Sequence, residues 1–203
     1  LLGRWQWAYR GVGGAGLALF LSLWTLHSHH GQDGSAAPLP YVPLLNPLDL
    51  MQGVALLLVL GWWRTSRREL AWPAGAARPY AFAWVALVFV WLNAILLRTL
   101  HHWAGVPYEL GAMAASTLAQ AALAIFWTVL ALAAMLWAHR SGHRSAWIAG
   151  AVLLGVVVLK LFLVDLARAG TVERIVSFLV VGGLMLVMGY FAPLPPARTE
   201  ARP

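Results

Sequence analysis

From residue 80 to residue 102 the chain reads YAFAWVALVFVWLNAILLRTLHH, and this stretch decides the fold. Tyr80 to Val90 holds no charge and no amide, whereas Asn93, Arg98, His101 and His102 crowd the far end. About 20 apolar residues in a helix cross the hydrocarbon core of a bilayer. Polar groups are costly in hydrocarbon, so polar residues gathered at one end imply a cavity or interface at that level.

Five more stretches repeat the pattern, and the expected spans are 9–26, 47–63, 80–100, 113–137, 146–166 and 173–190. Their opposite halves are nearly unbroken hydrocarbon (11–18, 55–63, 80–90, 127–137, 146–155 and 181–190), with Thr128 the exception. The expected fold class is all-α: a polytopic helical membrane protein of about six transmembrane helices over residues 1–190. A Pro-rich tail, 191–203, follows as a cytoplasmic extension. No period of about 20–50 residues recurs, which argues against a solenoid.

Composition agrees. Of 203 residues, 61% are hydrophobic and 10% charged, more apolar surface than a soluble core of this size hides. Lys and Arg number 14 against 7 Asp and Glu, a net charge of +7. The bases are scattered over short loops instead of forming a stripe on a soluble face, which argues against nucleic acid. With the N-terminus in the cytoplasm, the inner side carries Arg4, Arg10, Arg64, Arg67, Arg68, Arg78, Arg140, Arg144, Arg198 and Arg202. The outer side carries only Arg98, Lys160, Arg168 and Arg174. That bias puts both termini inside and the polar helix ends outside. Trp5, Trp7, Trp62, Trp63, Trp72, Trp137 and Trp147 mark the inner boundary as interfacial anchors. Gly11, Gly13, Gly14 and Gly16, and again Gly182 and Gly183, suggest faces where helices approach closely.

The chain has no cysteine, so disulfides, thiolate catalysis and iron–sulfur clusters are excluded. It begins at Leu1 and reads as a piece of a longer or processed protein. Leu1–Ala37 has signal-peptide features, but its apolar run is long enough to cross and is read as a retained helix. No Gly-x-Ser-x-Gly, His-Glu-x-x-His or phosphate-binding loop occurs.

Candidate ligand-binding residues collect at the outer level. Asn46 or Asp49 suits the N-terminus of a helix whose first residue is Pro47, and Asp49 is also a candidate cavity carboxylate beside Gln52. Arg98 precedes His101 and His102 by one turn, a combination suited to an anionic headgroup. Ser116, Thr117 and Gln120 enter the fourth span. Lys160 lies within an apolar run; it needs a partner such as Asp49 or Glu173, or a route to the interface. Asp165 pairs by spacing with Arg168, and Glu173 and Arg174 open the sixth span. The outer cluster is thus Asp49, Arg98, His101, His102, Gln120, Lys160, Asp165, Glu173 and Arg174. The loop His27-Ser28-His29-His30-Gly31-Gln32-Asp33 is rich in imidazole, yet its spacing matches no standard metal site, and no metal or cofactor is assigned.

Several of these segments resemble one family. Asn46-Pro47-Leu48-Asp49, Leu92-Asn93, Leu97 through His102, Lys160 through Asp165, Glu173 through Phe178 and Gly189 through Pro196 are similar to the C-terminal part of bacterial multi-pass proteins of domain of unknown function 2339. The resemblance implies a bacterial inner membrane and further helices upstream, or partner subunits beside this chain. It supplies no activity.

Three functions follow as expectations. The first is binding or transport of an anionic lipid or envelope-glycan intermediate at the basic outer site. The second is a structural or assembly role, with the charges paired between helices or with partner helices. The third is an outer-leaflet acyl or glycosyl transferase, with His101 or His102 as base, Asp49 as its partner and Arg98 as anion stabiliser. A channel ranks below these, because no polar stripe continues to the inner side.

Overall fold

A computed structural model describes residues 5, 7–29, 31–70, 72, 74–162 and 171–191, without the side chains of 74, 171–174, 176–178 and 191. Among the described residues the fold is all-helical, apart from one antiparallel bridge between Ala36 and Leu39. A π-helical segment, Trp7–Gly13, leads into α1, Gly14–His27. Then come α2, Pro47–Glu69, and α3, Ala77–Ala104, preceded by a short 3-10 turn at Ala74–Ala76. They are followed by α4, Leu110–Ala115, α5, Thr117–Ser141, α6, Arg144–Lys160, and α7, Thr171–Phe191.

The boundaries differ from hydropathy where local chemistry intervenes. The stretch expected as one span over 113–137 is two helices: Ser116 is extended, and its hydroxyl accepts from the Ala119 amide at 3.2 Å, starting α5 afresh. Helix α2 runs on through its arginines to Glu69, past the apolar limit at 63, because Arg and Glu propagate helix well. Pro79 lies in the first turn of α3, where it costs no helix hydrogen bond.

Two helices among the described residues, α3 and α5, are long and apolar enough to cross a membrane. Their most apolar windows are only 17% and 22% buried, so hydrocarbon side chains such as Phe82, Val85, Ile125 and Val129 face outward. The largest fully buried side chains are Arg98, Gln52, Thr25, Asp49 and Ser66, all polar. Such large polar side chains fully buried, with so many large apolar ones exposed, depart from the pattern of water-soluble domains and suit a chain whose outer solvent is lipid.

Two compact units divide the chain, Leu1–Ala119 and Gln120–Pro203. In the first, α1, α2 and α3 pack on one another. Gly14 gives passage to Trp62, since a Cβ there would collide with the indole nitrogen. Trp62 donates to the Arg10 carbonyl at 2.8 Å, and Arg10 pairs with Glu69. Tyr80 and Trp84 of α3 donate to the Val59 and Leu56 carbonyls of α2 at 2.7 and 3.1 Å. These aromatics are therefore helix-to-helix ties; Trp62, Trp63 and Trp72 also pack ring against ring.

In the second unit Ala131 and Met135 of α5 pack with Leu154 of α6 and Met188 of α7. Gly150 makes that approach: a Cβ there would meet Met135 Cγ at 2.6 Å and the Ala131 carbonyl at 2.9 Å. Nothing in the local sequence sets Gly150 apart as a contact glycine. At Gly182 and Gly183, where close approach was expected, a Cβ would meet no described atom within 4 Å.

Candidate functional site

The loop joining α1 to α2 folds back over the ends of α2 and α3. Asn46 starts α2 by accepting from the Leu48 amide at 2.9 Å, and its own amide donates to the Gly34 carbonyl. The cap is therefore Asn46, which releases Asp49 for other work. Gly34 has φ +80°, a left-handed conformation, and turns the loop inward against Tyr41 and Arg98.

Arg98 is the hub. Its side chain and that of Asp49 are 0% exposed, with the guanidinium 2.6 Å from the carboxylate. The same nitrogen donates to Gln52 Oε1 at 3.1 Å. Nε donates to the Gln32 carbonyl at 3.1 Å, and the other terminal nitrogen reaches the Ser28 carbonyl at 3.5 Å. Gln52 in turn donates to Ser28 Oγ at 2.5 Å. One side chain from α3 thereby ties α2 to the first part of the loop, at Ser28 and Gln32, and its charge is neutralised where lipid cannot solvate it.

Tyr41 closes the far side of Asp49, with its hydroxyl 3.2 Å from Oδ2 and 3.3 Å from the Ile95 carbonyl. Burial pushes the Tyr41 phenol up to about 12; the Thr99 hydroxyl pulls against this and the Asp49 carboxylate adds to it. A raised value means that the stabilising protonated form is complete below the unfolded phenol's value of about 10. The contribution is lost as pH rises towards about 12. Tryptophan-monitored melting should therefore show a fall in stability over that alkaline window that is smaller in Tyr41→Phe, where the buried Tyr108 phenol still contributes. Equal alkaline profiles would remove this role for Tyr41.

His101 and His102 turn away from Asp49. His101 Nδ1 lies 2.8 Å from the Val106 carbonyl and Nε2 lies 3.4 Å from Asp33 Oδ2. His102 Nε2 lies 2.9 Å from the Asp33 carbonyl, and its ring stacks on Tyr41 with centroids 4.4 Å apart. Helix α3 ends just beyond them at Gly105, whose φ of +70° brings Val106 back under His101. Asp33 accepts from the Ser35 amide at 2.9 Å and the Ser35 hydroxyl at 2.8 Å. The Ser35 amide chiefly holds the Asp33 carboxyl below its ordinary value. Tyr108, donating to the His29 carbonyl at 3.1 Å, has its phenol raised, chiefly by burial.

Of the nine residues expected from sequence, Asp49, Arg98, His101 and His102 lie at this loop end of the first unit. Lys160 and Gln120 lie in the second unit, where Lys160 Nζ donates to the Gln120 carbonyl at 3.1 Å. Asp165 is outside the described residues, and Glu173 and Arg174 are described only as part of helix α7. The structure adds Gln52, Tyr41, Asp33 and the loop carbonyls to the site. Gln52 carries a signal in sequence, a polar residue one turn after Asp49, but backbone carbonyls carry none.

The chain matches, over residues 1–195, the family described as predicted membrane protein (DUF2339), and it belongs to that family. No curated protein and no solved structure matches it.

Proposed function

We propose that this DUF2339 member is a multi-pass protein of the bacterial inner membrane, with six spans and both termini in the cytoplasm. Its loop-covered end serves a structural and assembly role. One observation carries the role: Arg98, the cation best placed for an anionic ligand, is 0% exposed and committed to Asp49. An anion reaching it would have to displace Asp49 and unfasten the loop. The apolar outer faces of α3 and α5 support burial in lipid and against partner helices. The transferase dyad expected from sequence lacks geometric support, because Asp49 engages Arg98 and Tyr41 while both histidines turn to Asp33.

Native mass spectrometry of the gently extracted protein tests the role. The expected result is a retained protein partner, and a lipid profile that is the same in wild type and Arg98→Lys. A single anionic lipid or glycan bound by wild type, and missing from a folded Arg98→Lys protein, would restore the ligand-binding reading.

A second reading keeps the anionic ligand but moves it. At the opposite end of α2 a cavity of about 430 Å³ is lined by Arg64, Arg67, Arg68, Trp63, Tyr80 and Trp84. Exposed guanidiniums over an aromatic floor suit an anionic phospholipid headgroup of the inner leaflet.

A further inference from the structure

Taken alone, the histidine-rich loop lacks the spacing of a metal site. The fold brings its last acidic member, Asp33, to two histidines from the end of α3. One ligand atom from each of Asp33, His101 and His102 lies within 4.8 Å of the other two. We propose that these three residues form a divalent transition-metal site, of the zinc class, that clasps the loop to α3.

Hydrogen-bond direction sets the roles of the ring nitrogens. A backbone carbonyl only accepts, so His101 Nδ1 carries the proton facing Val106, and Nε2 of the neutral ring carries a lone pair. That lone pair faces Asp33 Oδ2 at 3.4 Å. Two electron-rich atoms so placed repel unless a proton or a metal cation sits between them. The same logic applies to His102, whose Nε2 must donate to the Asp33 carbonyl, leaving Nδ1 as the lone pair of its neutral ring. Both imidazoles thus have one nitrogen oriented by a backbone carbonyl, the arrangement that supports metal-bound histidines generally.

Distances agree. Zinc holds nitrogen and oxygen ligands at about 2.0–2.2 Å, so two ligands at a tetrahedral angle are about 3.4 Å apart. The His101–Asp33 pair already has that separation at 3.4 Å. Drawing in His102 requires a contraction of up to about 1.4 Å from the 4.8 Å spread, within reach of side-chain torsions. Two imidazoles and one carboxylate suit zinc and its neighbours better than calcium or magnesium, which prefer all-oxygen shells. The pair is also reachable: the side chains of His101 and Asp33 are 29% and 37% exposed. Three protein ligands leave a fourth position for water.

The test uses the full chain in detergent or nanodiscs, metal-stripped and without a polyhistidine tag, titrated with Zn²⁺ by calorimetry and with Co²⁺ by visible absorption. The expected result is one tight equivalent, with a Co²⁺ spectrum of four-coordinate nitrogen and oxygen ligation. His102→Gln and Asp33→Asn should each weaken binding by more than the about 10–100-fold typical of losing a supporting contact. His143→Gln, a histidine of the second unit just before α6, should bind as wild type does. Absence of a stoichiometric equivalent in wild type, or one that survives both substitutions, overturns the site and leaves a proton between His101 and Asp33. Should either variant fail to fold, X-ray absorption of the wild-type zinc complex decides: two imidazoles support the site, and none or one refutes it.

Discussion

Arg98→Ala should destabilise the first unit by about 3–5 kcal/mol, the usual cost of removing one partner of a buried ion pair. The substitution strands Asp49, which is 0% exposed, and leaves Gln52 Oε1 and the Ser28 and Gln32 carbonyls without their donor. A charge without a partner in a low-dielectric setting is the larger part of the penalty. Asp49→Ala should cost a similar amount by stranding the guanidinium. Pairing Arg98→Met with Asp49→Leu should cost less than the two singles summed, because the double variant leaves no buried charge. Thermal melting of wild type, Arg98→Met, Asp49→Leu and the double variant in one detergent measures this. Additive losses would mean that the two residues do not act as a pair.

Gly34→Ala should be the next most damaging change, at about 1–3 kcal/mol, because strain and crowding act together. At φ +80° an L side chain is disfavoured, and the new Cβ would lie 3.2 Å from Tyr41 and 3.3 Å from Arg98 Cδ. The neighbours have little room to give, since Arg98 is anchored to Asp49 and Tyr41 to both Asp49 and Ile95. Limited proteolysis across residues 28–46 is the direct readout, with faster cleavage expected in the variant. Gly105→Ala shares the positive φ but has no neighbour within 4 Å, so it isolates the strain. Equal stability losses at the two glycines would remove crowding from the explanation.

Much of the helical framework is legible along the chain. Each expected apolar stretch contains helix, and Asn46-Pro47 marks the start of α2 because capping and a fixed proline φ are properties of adjacent residues. The break at Ser116 is present in Ser116-Thr117 but outweighed by the surrounding hydropathy. The site is legible only as an inventory. Arg98, His101 and His102 share one stretch of α3, and spacing alone joins them in one anion-binding site. The fold separates their work, sending Arg98 inward to α2 and both imidazoles to Asp33.

The sequence by itself determined the helical class, the family and the concentration of polar residues near one end of the third span. Transfer free energies and helix periodicity accumulate residue by residue, so they can be summed without knowing any contact. Tertiary structure decided which charges meet. Arg98 and Asp49 are 49 positions apart, and Asp33 joins the α3 histidines only because Gly34 and Asn46 fold the loop back over the helix ends. A contact of that kind depends on the path of the intervening chain, which no local pattern encodes.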